Sequence, residues 1–190
     1  MKKLASAAAI GGLLCATSIH ASDGTITFTG SVTANTCTIK INGGTTNATI
    51  TLPTVSASQL AKGGDTAGST PINFALSACQ TGTSAATGAV KAYFETGTNV
   101  DPATGRLKNT AASGATNVQL QLLNSDDSVI TIGDASTIKG GTLAAGTGPG
   151  STASSAAFAY AVRYYNSASG STAAGSGSVS SSVTYSVTYQ

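Results

Sequence analysis

Residues 70–79, Thr-Pro-Ile-Asn-Phe-Ala-Leu-Ser-Ala-Cys, alternate between apolar side chains and small or polar ones. Successive side chains of an extended chain point to opposite faces, so Ile72, Phe74 and Leu76 share one face. The alternation predicts a β-strand with one buried face, with Cys79 just past its end. A single strand cannot bury such a face alone, so its partners must lie elsewhere in the chain.

Short runs of the same kind follow one another along the sequence, separated by clusters of Gly, Ser, Thr, Asn and Asp. No segment keeps a 3.6-residue period, and only residues 55–60 read as a short helical turn. The sequence therefore predicts an all-β domain. Besides residues 70–79, the predicted strands are residues 37–41, 48–52, 89–96, 117–124, 129–132, 157–165 and 179–190.

Two of these assignments carry finer expectations. In the strand at residues 117–124, Leu120 and Leu122 are expected to point inward and Gln119 and Gln121 outward, because the two sets alternate. Residues 140–155 are rich in Gly, Thr and Ser and are predicted to form a long loop.

The last predicted strand has an unusually long alternation that reaches residue 189. Its inward row is expected to contain Val179, Ser181, Val183, Tyr185, Val187 and Tyr189. On pattern alone this row is that of an ordinary core or edge strand.

Residues 1–21 have the layout of a cleavable secretory signal peptide. Lys2 and Lys3 precede a mostly apolar run, and the small residue Ala21 precedes a polar segment. Cleavage is predicted after Ala21 or one or two residues away. No later apolar run approaches the roughly 20 residues needed to cross a bilayer, so the remainder is expected to be exported and soluble.

Charge limits the function classes that the exported part can serve. Only 8% of the chain is charged, against roughly 25% in an average soluble protein. Residues 22–190 contain seven basic and seven acidic side chains, so there is no electrostatic support for binding nucleic acid or an anionic membrane. A surface of Ser, Thr, Ala and Gly instead favours contact with other protein surfaces.

Cys37 and Cys79 are the two cysteines that remain after the signal peptide. In an exported chain they predict a disulfide, which would close a loop of about 40 residues and contribute roughly 4 kcal/mol. A metal-binding or redox pair is the alternative. It is the weaker one, because the spacing is long and the only histidine, His20, lies in the signal peptide.

The sequence offers no catalytic constellation. There is no histidine after the signal peptide, and no cysteine stands near a candidate base. Asp126 and Asp127 are adjacent, so on a strand they would point to opposite faces and could not act as a paired acid and base. We expect a solvated turn there, no cofactor, no metal and no enzymatic activity.

A further alternating stretch lies between the signal peptide and Cys37. Residues 22–36 read Ser-Asp-Gly-Thr-Ile-Thr-Phe-Thr-Gly-Ser-Val-Thr-Ala-Asn-Thr. Ile26, Phe28, Gly30 and Val32 fall on one face and hydroxylated residues on the other. On pattern alone this is the first strand of a sandwich.

Taken together and in order, these features resemble the pilins of the chaperone-usher type, which are structural subunits of fimbriae. The resemblance covers residues 22–190. It is carried by the Asp-Gly-Thr-Ile-Thr-Phe-Thr-Gly-Ser-Val stretch before Cys37, Leu52-Pro53 with Val55 and Leu60, the alternating run to Cys79, and Val187-Thr188-Tyr189. It implies an immunoglobulin-like sandwich that lacks its last strand, with a signal peptide at 1–21, an N-terminal donor strand extension at 22–36 and a pilin domain at 37–190.

The resemblance also implies how such a chain assembles. Ile26, Phe28, Gly30 and Val32 of one subunit would enter the groove of a neighbour by donor-strand exchange, an established case of strand addition. The groove edge and chaperone-binding C-terminus would consist of Val183, Tyr185, Val187, Tyr189 and Gln190. The implied partners are copies of itself or other pilin subunits, a periplasmic chaperone and an outer-membrane usher.

The implied product is a surface fimbria for cell adhesion, reached through the periplasm, with the host receptor unspecified. Two alternatives remain open from the sequence. One is a minor adaptor or carbohydrate-binding adhesin subunit, although a tip adhesin usually carries an additional lectin domain. The other is a self-complemented secreted monomer, in which residues 22–36 fold back onto their own domain.

Overall fold

The computed structural model describes residues 35–147 and 151–190, together with the single residue Thr27. Within these residues the chain forms eleven strands and two short 3-10 helices, Ala57–Leu60 and Ala135–Thr137, which confirms the all-β prediction. The strands are β1 (Asn35–Ile41), β2 (Thr66–Thr81), β3 (Ser84–Ala85), β4 (Gly88–Phe94), β5 (Val100–Asp101), β6 (Arg106–Lys108), β7 (Val118–Asn124), β8 (Val129–Ile130), β9 (Gly141–Ala145), β10 (Ser154–Asn166) and β11 (Tyr185–Tyr189).

The long strand β10 organises the sheet. It pairs antiparallel with β2 on one side and with β7 on the other, and β1 extends the layer beyond β2 while β6 and β5 extend it beyond β7. A second set of strands runs in the order β11, β4, β9. Because β9 pairs with both β4 and the start of β10, the two sets form one curled sheet with the apolar faces inside.

The predicted alternation in β2 decides what the core contains. Ile72, Phe74 and Leu76 are all buried. Strand β4 contributes a second buried row, formed by its alternate residues from Val90 to Phe94. Phe74 lies at the centre of an aromatic cluster, since the rings of Phe158, Tyr160 and Tyr185 have their centroids 5.3, 5.6 and 5.2 Å from its own.

The predicted disulfide between Cys37 and Cys79 is present, with Cα atoms 4.2 Å apart. It joins β1 to the end of β2, and Cys79 is completely buried. In the described part of the chain β1 pairs only with β2, so the bond fixes an edge strand that has a neighbour on one side alone.

Residues 48–52 and 179–184 differ from the sequence prediction, because neither forms a strand. Only the last part of the long C-terminal alternation, β11, is paired, and its partner is β4. A strand is defined by its ladder of hydrogen bonds, and the described residues provide no ladder partner beside these two segments.

The prediction of a loop at residues 140–155 is wrong over its first part, which forms β9. The sequence pattern did not indicate this strand, because Leu143 is its only large apolar residue. Gly141 packs closely on β10, where a Cβ atom would come within 3.2 Å of Phe158 Cδ1. A glycine that permits close approach reads as loop composition in the sequence.

Gln121 also departs from expectation, because it is only 3% exposed although it alternates with the inward Leu120 and Leu122. Arg163, its cross-strand neighbour on β10, covers it and donates from Nε and Nη2 to Gln121 Oε1 at 3.0 and 2.7 Å. Gln119 is half-buried and donates to Asp101 Oδ2 at 2.9 Å.

Candidate groove between two sheet edges

An apolar groove runs between two segments that we call the N-terminal lip (residues 46–52) and the C-terminal lip (residues 179–187). It has two adjoining compartments of about 490 and 450 Å³. Both are bordered by Ile50 and Val183 of the lips and share Ile72 in the floor, so they form one continuous groove. The first compartment has Phe74 and Phe94 in its floor, and the second has Leu107, Leu120, Leu122 and Val162.

The C-terminal lip keeps the predicted alternation in its exposure. Val179, Val183 and Val187 are half-buried, whereas Ser180, Ser182, Thr184 and Ser186 are exposed. In the closed part of the sheet an inward row becomes fully buried. Here it stays half open because β11 pairs with β4 on one side and with nothing on the other within the described residues.

The first half of this lip is held in place by polar contacts rather than by a sheet. Thr110 N donates to Ser180 O at 2.8 Å, and Ala115 N donates to Ser178 O at 2.9 Å. Asn99 Nδ2 donates to Ser182 Oγ at 2.9 Å. These bonds fix residues 178–182 against the chain at 99–115, so the lip has a defined position before anything fills the groove.

The N-terminal lip has less support of its own. Ile50 and Leu52 pack against the core with half-buried side chains, while Ala48 and Thr49 are exposed. The segment follows the turn at Ile41, where Ile41 N donates to Thr45 O at 3.2 Å. The lip therefore presents apolar side chains to the groove, and its backbone is in no strand ladder of the described residues.

The predicted C-terminal residues lie as follows. Val183, Tyr185 and Val187 line the first compartment, and Tyr189 packs half-buried against the core. Gln190 is exposed and pairs by its backbone with Ala89, donating at 2.8 Å and accepting at 3.0 Å. The structure thus brings the first three together at the groove, and the chaperone-binding role of the C-terminus stays a prediction.

Tyr185 connects the two lips. Its ring packs edge-on against Phe74, with an interplanar angle of 88°, and its hydroxyl donates to the carbonyl oxygen of Thr46 at 2.9 Å. Partial burial raises the pKa of Tyr185 above its usual value. Sequence reasoning placed Tyr185 on the groove edge but missed this bond, because its acceptor is a backbone atom far away in the chain.

The predicted donor-strand residues Ile26, Phe28, Gly30 and Val32 lie outside the described residues. In the part of the chain that the structure describes, no group of three or more His, Cys, Asp or Glu side chains could hold a metal ion. The same residues include no helix that is long and apolar enough to cross a membrane. The chemistry available at the groove is therefore apolar burial and backbone hydrogen bonding.

Comparison with known proteins gives a consistent set of similarities. The family model for FimA, type-1 fimbrial protein A, matches residues 52–190. The F17 fimbrial protein of Escherichia coli is 49% identical over 120 residues, which cover 60% of this chain and 64% of that protein. The major fimbrial subunit SMF-1 of Stenotrophomonas maltophilia is 51% identical over 114 residues, covering 60% of this chain and 63% of its own length. The match thus spans a little under two thirds of each relative.

Two solved structures share the fold. A Burkholderia pseudomallei antigen and type I fimbria protein aligns with a TM-score of 0.50 and 24% identity, covering 83% of this chain and 97% of that one. A chain from a chaperone-usher pilus structure aligns with a TM-score of 0.52 and 19% identity, covering 92% of this chain and all of that one. At these identities the likeness concerns the architecture alone.

Proposed function

The chain belongs to the family of type-1 fimbrial proteins, and we propose that it is a structural subunit of a surface fimbria that polymerises by donor-strand exchange. In this mechanism residues 22–36 of one copy enter the groove of the next copy as an added strand. The observation that carries the proposal is the apolar groove between the two lips, which no strand of the described residues fills.

Membership of this family confirms the resemblance to chaperone-usher pilins that the sequence indicated. Fimbrial subunits are structural proteins, so the prediction that the chain is not an enzyme is also confirmed.

The N-terminal arm has the chemistry that the groove requires. Burying Ile26, Phe28 and Val32 is worth roughly 5 to 9 kcal/mol, and each ladder hydrogen bond adds about 1 kcal/mol. Ordering about ten residues of the arm costs on the order of 10 to 20 kcal/mol. The free energy gained by the arm alone therefore roughly equals the entropic cost of ordering it. The surplus comes from the half-buried lining of the acceptor, which leaves water at the same time.

The unfilled subunit needs protection before it is assembled. An apolar groove with an unpaired sheet edge is a template for aggregation. We propose that a periplasmic chaperone covers the groove first, that an outer-membrane usher then passes the subunit to the next arm, and that the product is an adhesive fimbria on the cell surface. The low charge of the chain, 8% of its residues, suits extended contact between neutral copies.

The test is to express the full chain together with a chaperone and an usher in a bacterium without fimbriae, and to image the surface by electron microscopy. We expect fibres from the unaltered chain and none from Gly30→Leu, because leucine at this position would project into the groove where the arm carries no side chain. The matched control is Ser31→Leu, on the opposite face of the arm, which should still form fibres.

Capture by the chaperone separates assembly from folding in this experiment. Gly30→Leu should still be recovered in the chaperone complex, because the altered residue lies in the arm and not in the groove. Fibres of normal length from Gly30→Leu would contradict the proposal. Stable monomers without fibres or chaperone from the unaltered chain would favour the self-complemented secreted monomer instead.

A further inference from the structure

The side chain of Tyr185 crosses the first compartment from floor to lip. Its ring centroid lies 5.2 Å from that of Phe74 below, and its hydroxyl lies 2.9 Å from the carbonyl oxygen of Thr46 on the opposite lip. Tyr185 and Thr46 are 139 positions apart in the sequence, so this bond joins two segments that are otherwise held by different parts of the sheet.

A strand that completes the groove would lie between these two lips. Neighbouring strands in a sheet are about 4.8 Å apart, so lips that both pair with an inserted strand must stand about 10 Å from each other. The Tyr185 ring and hydroxyl lie in the first compartment, in the space that the inward-facing side chains of an inserted strand would occupy. The Thr46 carbonyl is also an acceptor available to an incoming backbone N–H. The bridge and the inserted strand therefore compete for the same space and the same oxygen.

We propose that Tyr185 gates the groove: its bond to Thr46 holds the lips together in the unfilled subunit and must break before a strand can enter the first compartment. The proposed gate rests on the proposed function, because it assigns Tyr185 a positioning role within the same groove. The gate limits exposure of an edge that would otherwise pair with unrelated strands. Because the bond lies at an exposed position, breaking it slows entry of the correct strand only moderately.

Tyr189 provides a matched comparison on the same strand. It belongs to the same inward row, four residues after Tyr185, and is half-buried like Tyr185. Its hydroxyl has no hydrogen-bond partner among the described residues, and it does not border the first compartment. Removing its hydroxyl makes the same chemical change on the same strand without touching a bridge between the lips.

The test uses the full chain, diluted until it is monomeric so that copies do not fill each other's grooves, and an excess of a synthetic, fluorescently labelled peptide of residues 22–36. The association rate is followed by fluorescence anisotropy. Tyr185→Phe keeps the ring on Phe74 and removes only the hydroxyl. We expect the peptide to associate about threefold to tenfold faster with Tyr185→Phe than with the unaltered chain. Tyr189→Phe should associate at the unaltered rate. Thermal unfolding of each variant reports its stability separately.

Each outcome decides between the gate and the function on which it depends. Equal or slower association with Tyr185→Phe, together with a lower unfolding temperature, would show that the bond only stabilises the fold and would overturn the gate. The donor-strand function would survive that result, because the peptide still binds. Failure of the peptide to bind the unaltered chain and both variants would overturn the donor-strand function and the gate together.

Discussion

Residues 70–79 and residues 179–189 have the same alternating pattern but differ in how deeply their apolar rows are buried. In the first stretch Phe74 and Leu76 are 2% exposed, whereas in the second Val183, Tyr185 and Val187 remain half-buried. The difference lies in their neighbours: β2 has β1 on one side and β10 on the other, whereas among the described residues β11 pairs with β4 alone. Alternation thus specifies an apolar face, while full burial of that face depends on neighbouring strands on both sides.

The largest expected effect concerns the disulfide that holds β1 beside β2. Replacing both Cys37 and Cys79 by serine should lower the free energy of unfolding by about 4 kcal/mol, because the bond closes a loop with a sequence separation of 42. Urea unfolding followed by circular dichroism measures the loss. Reduction of the unaltered chain should give a similar value. A loss below about 1 kcal/mol would mean that the β1–β2 ladder holds this edge without the covalent bond.

Two side-chain truncations compare the buried core at β2 with the C-terminal lip. Leu76→Ala should cost about 3 kcal/mol because it leaves a cavity in a packed core. Val187→Ala should cost about 1 kcal/mol or less in the unfilled chain, because its side chain still contacts water. The cost of Val187→Ala should rise when the peptide of residues 22–36 is bound. Equal costs in the unfilled chain would mean that the lip is already as closed as the core.

The free energy of unfolding should depend on pH through Tyr160, which is buried in the core. Burial raises the pKa of Tyr160 to about 12, and its hydroxyl donates to Lys139 O at 2.7 Å. In the unfolded chain the phenol has its ordinary pKa of 10.0, so the stabilisation is fully present below pH 10 and is lost as the pH rises towards 12. The expected loss from this residue is about 1 to 3 kcal/mol.

Urea unfolding just below pH 10 and at about pH 12 measures this decline. Tyr160→Phe has no ionisable hydroxyl at this position, so its stability should fall less steeply over the same window. An equal slope in the variant and the unaltered chain would contradict the role of Tyr160.

Sequence alone predicted the features that rest on local pattern. The alternation located β2 and β4, and the two exported cysteines located the disulfide. The strand β9 was missed because Gly141 and small residues carry its pairing, and Gln121 was misplaced because Arg163 covers it from a neighbouring strand. Both errors have one cause: cross-strand packing leaves no trace in the periodicity of a single segment.

The candidate site was predictable to the same extent. Val183, Tyr185 and Val187 were predicted at a groove edge by their alternation and by resemblance. They line the first compartment, and their role as an edge for an added strand stays a prediction. The bond from Tyr185 to Thr46 was not predictable, because a backbone acceptor has no sequence signature. Residues 48–52 and 179–184 were predicted as strands because their apolar and polar residues alternate, although neither segment has a ladder partner among the described residues.

The most direct measurement is the structure of fibres assembled from this chain, determined by cryo-electron microscopy at a resolution that shows side chains. The proposed function predicts an added strand between residues 46–52 and 179–187 of each copy, contributed by the neighbouring copy, with Ile26, Phe28, Gly30 and Val32 facing the groove. A groove without an added strand, or one filled by residues 22–36 of the same copy, would contradict it.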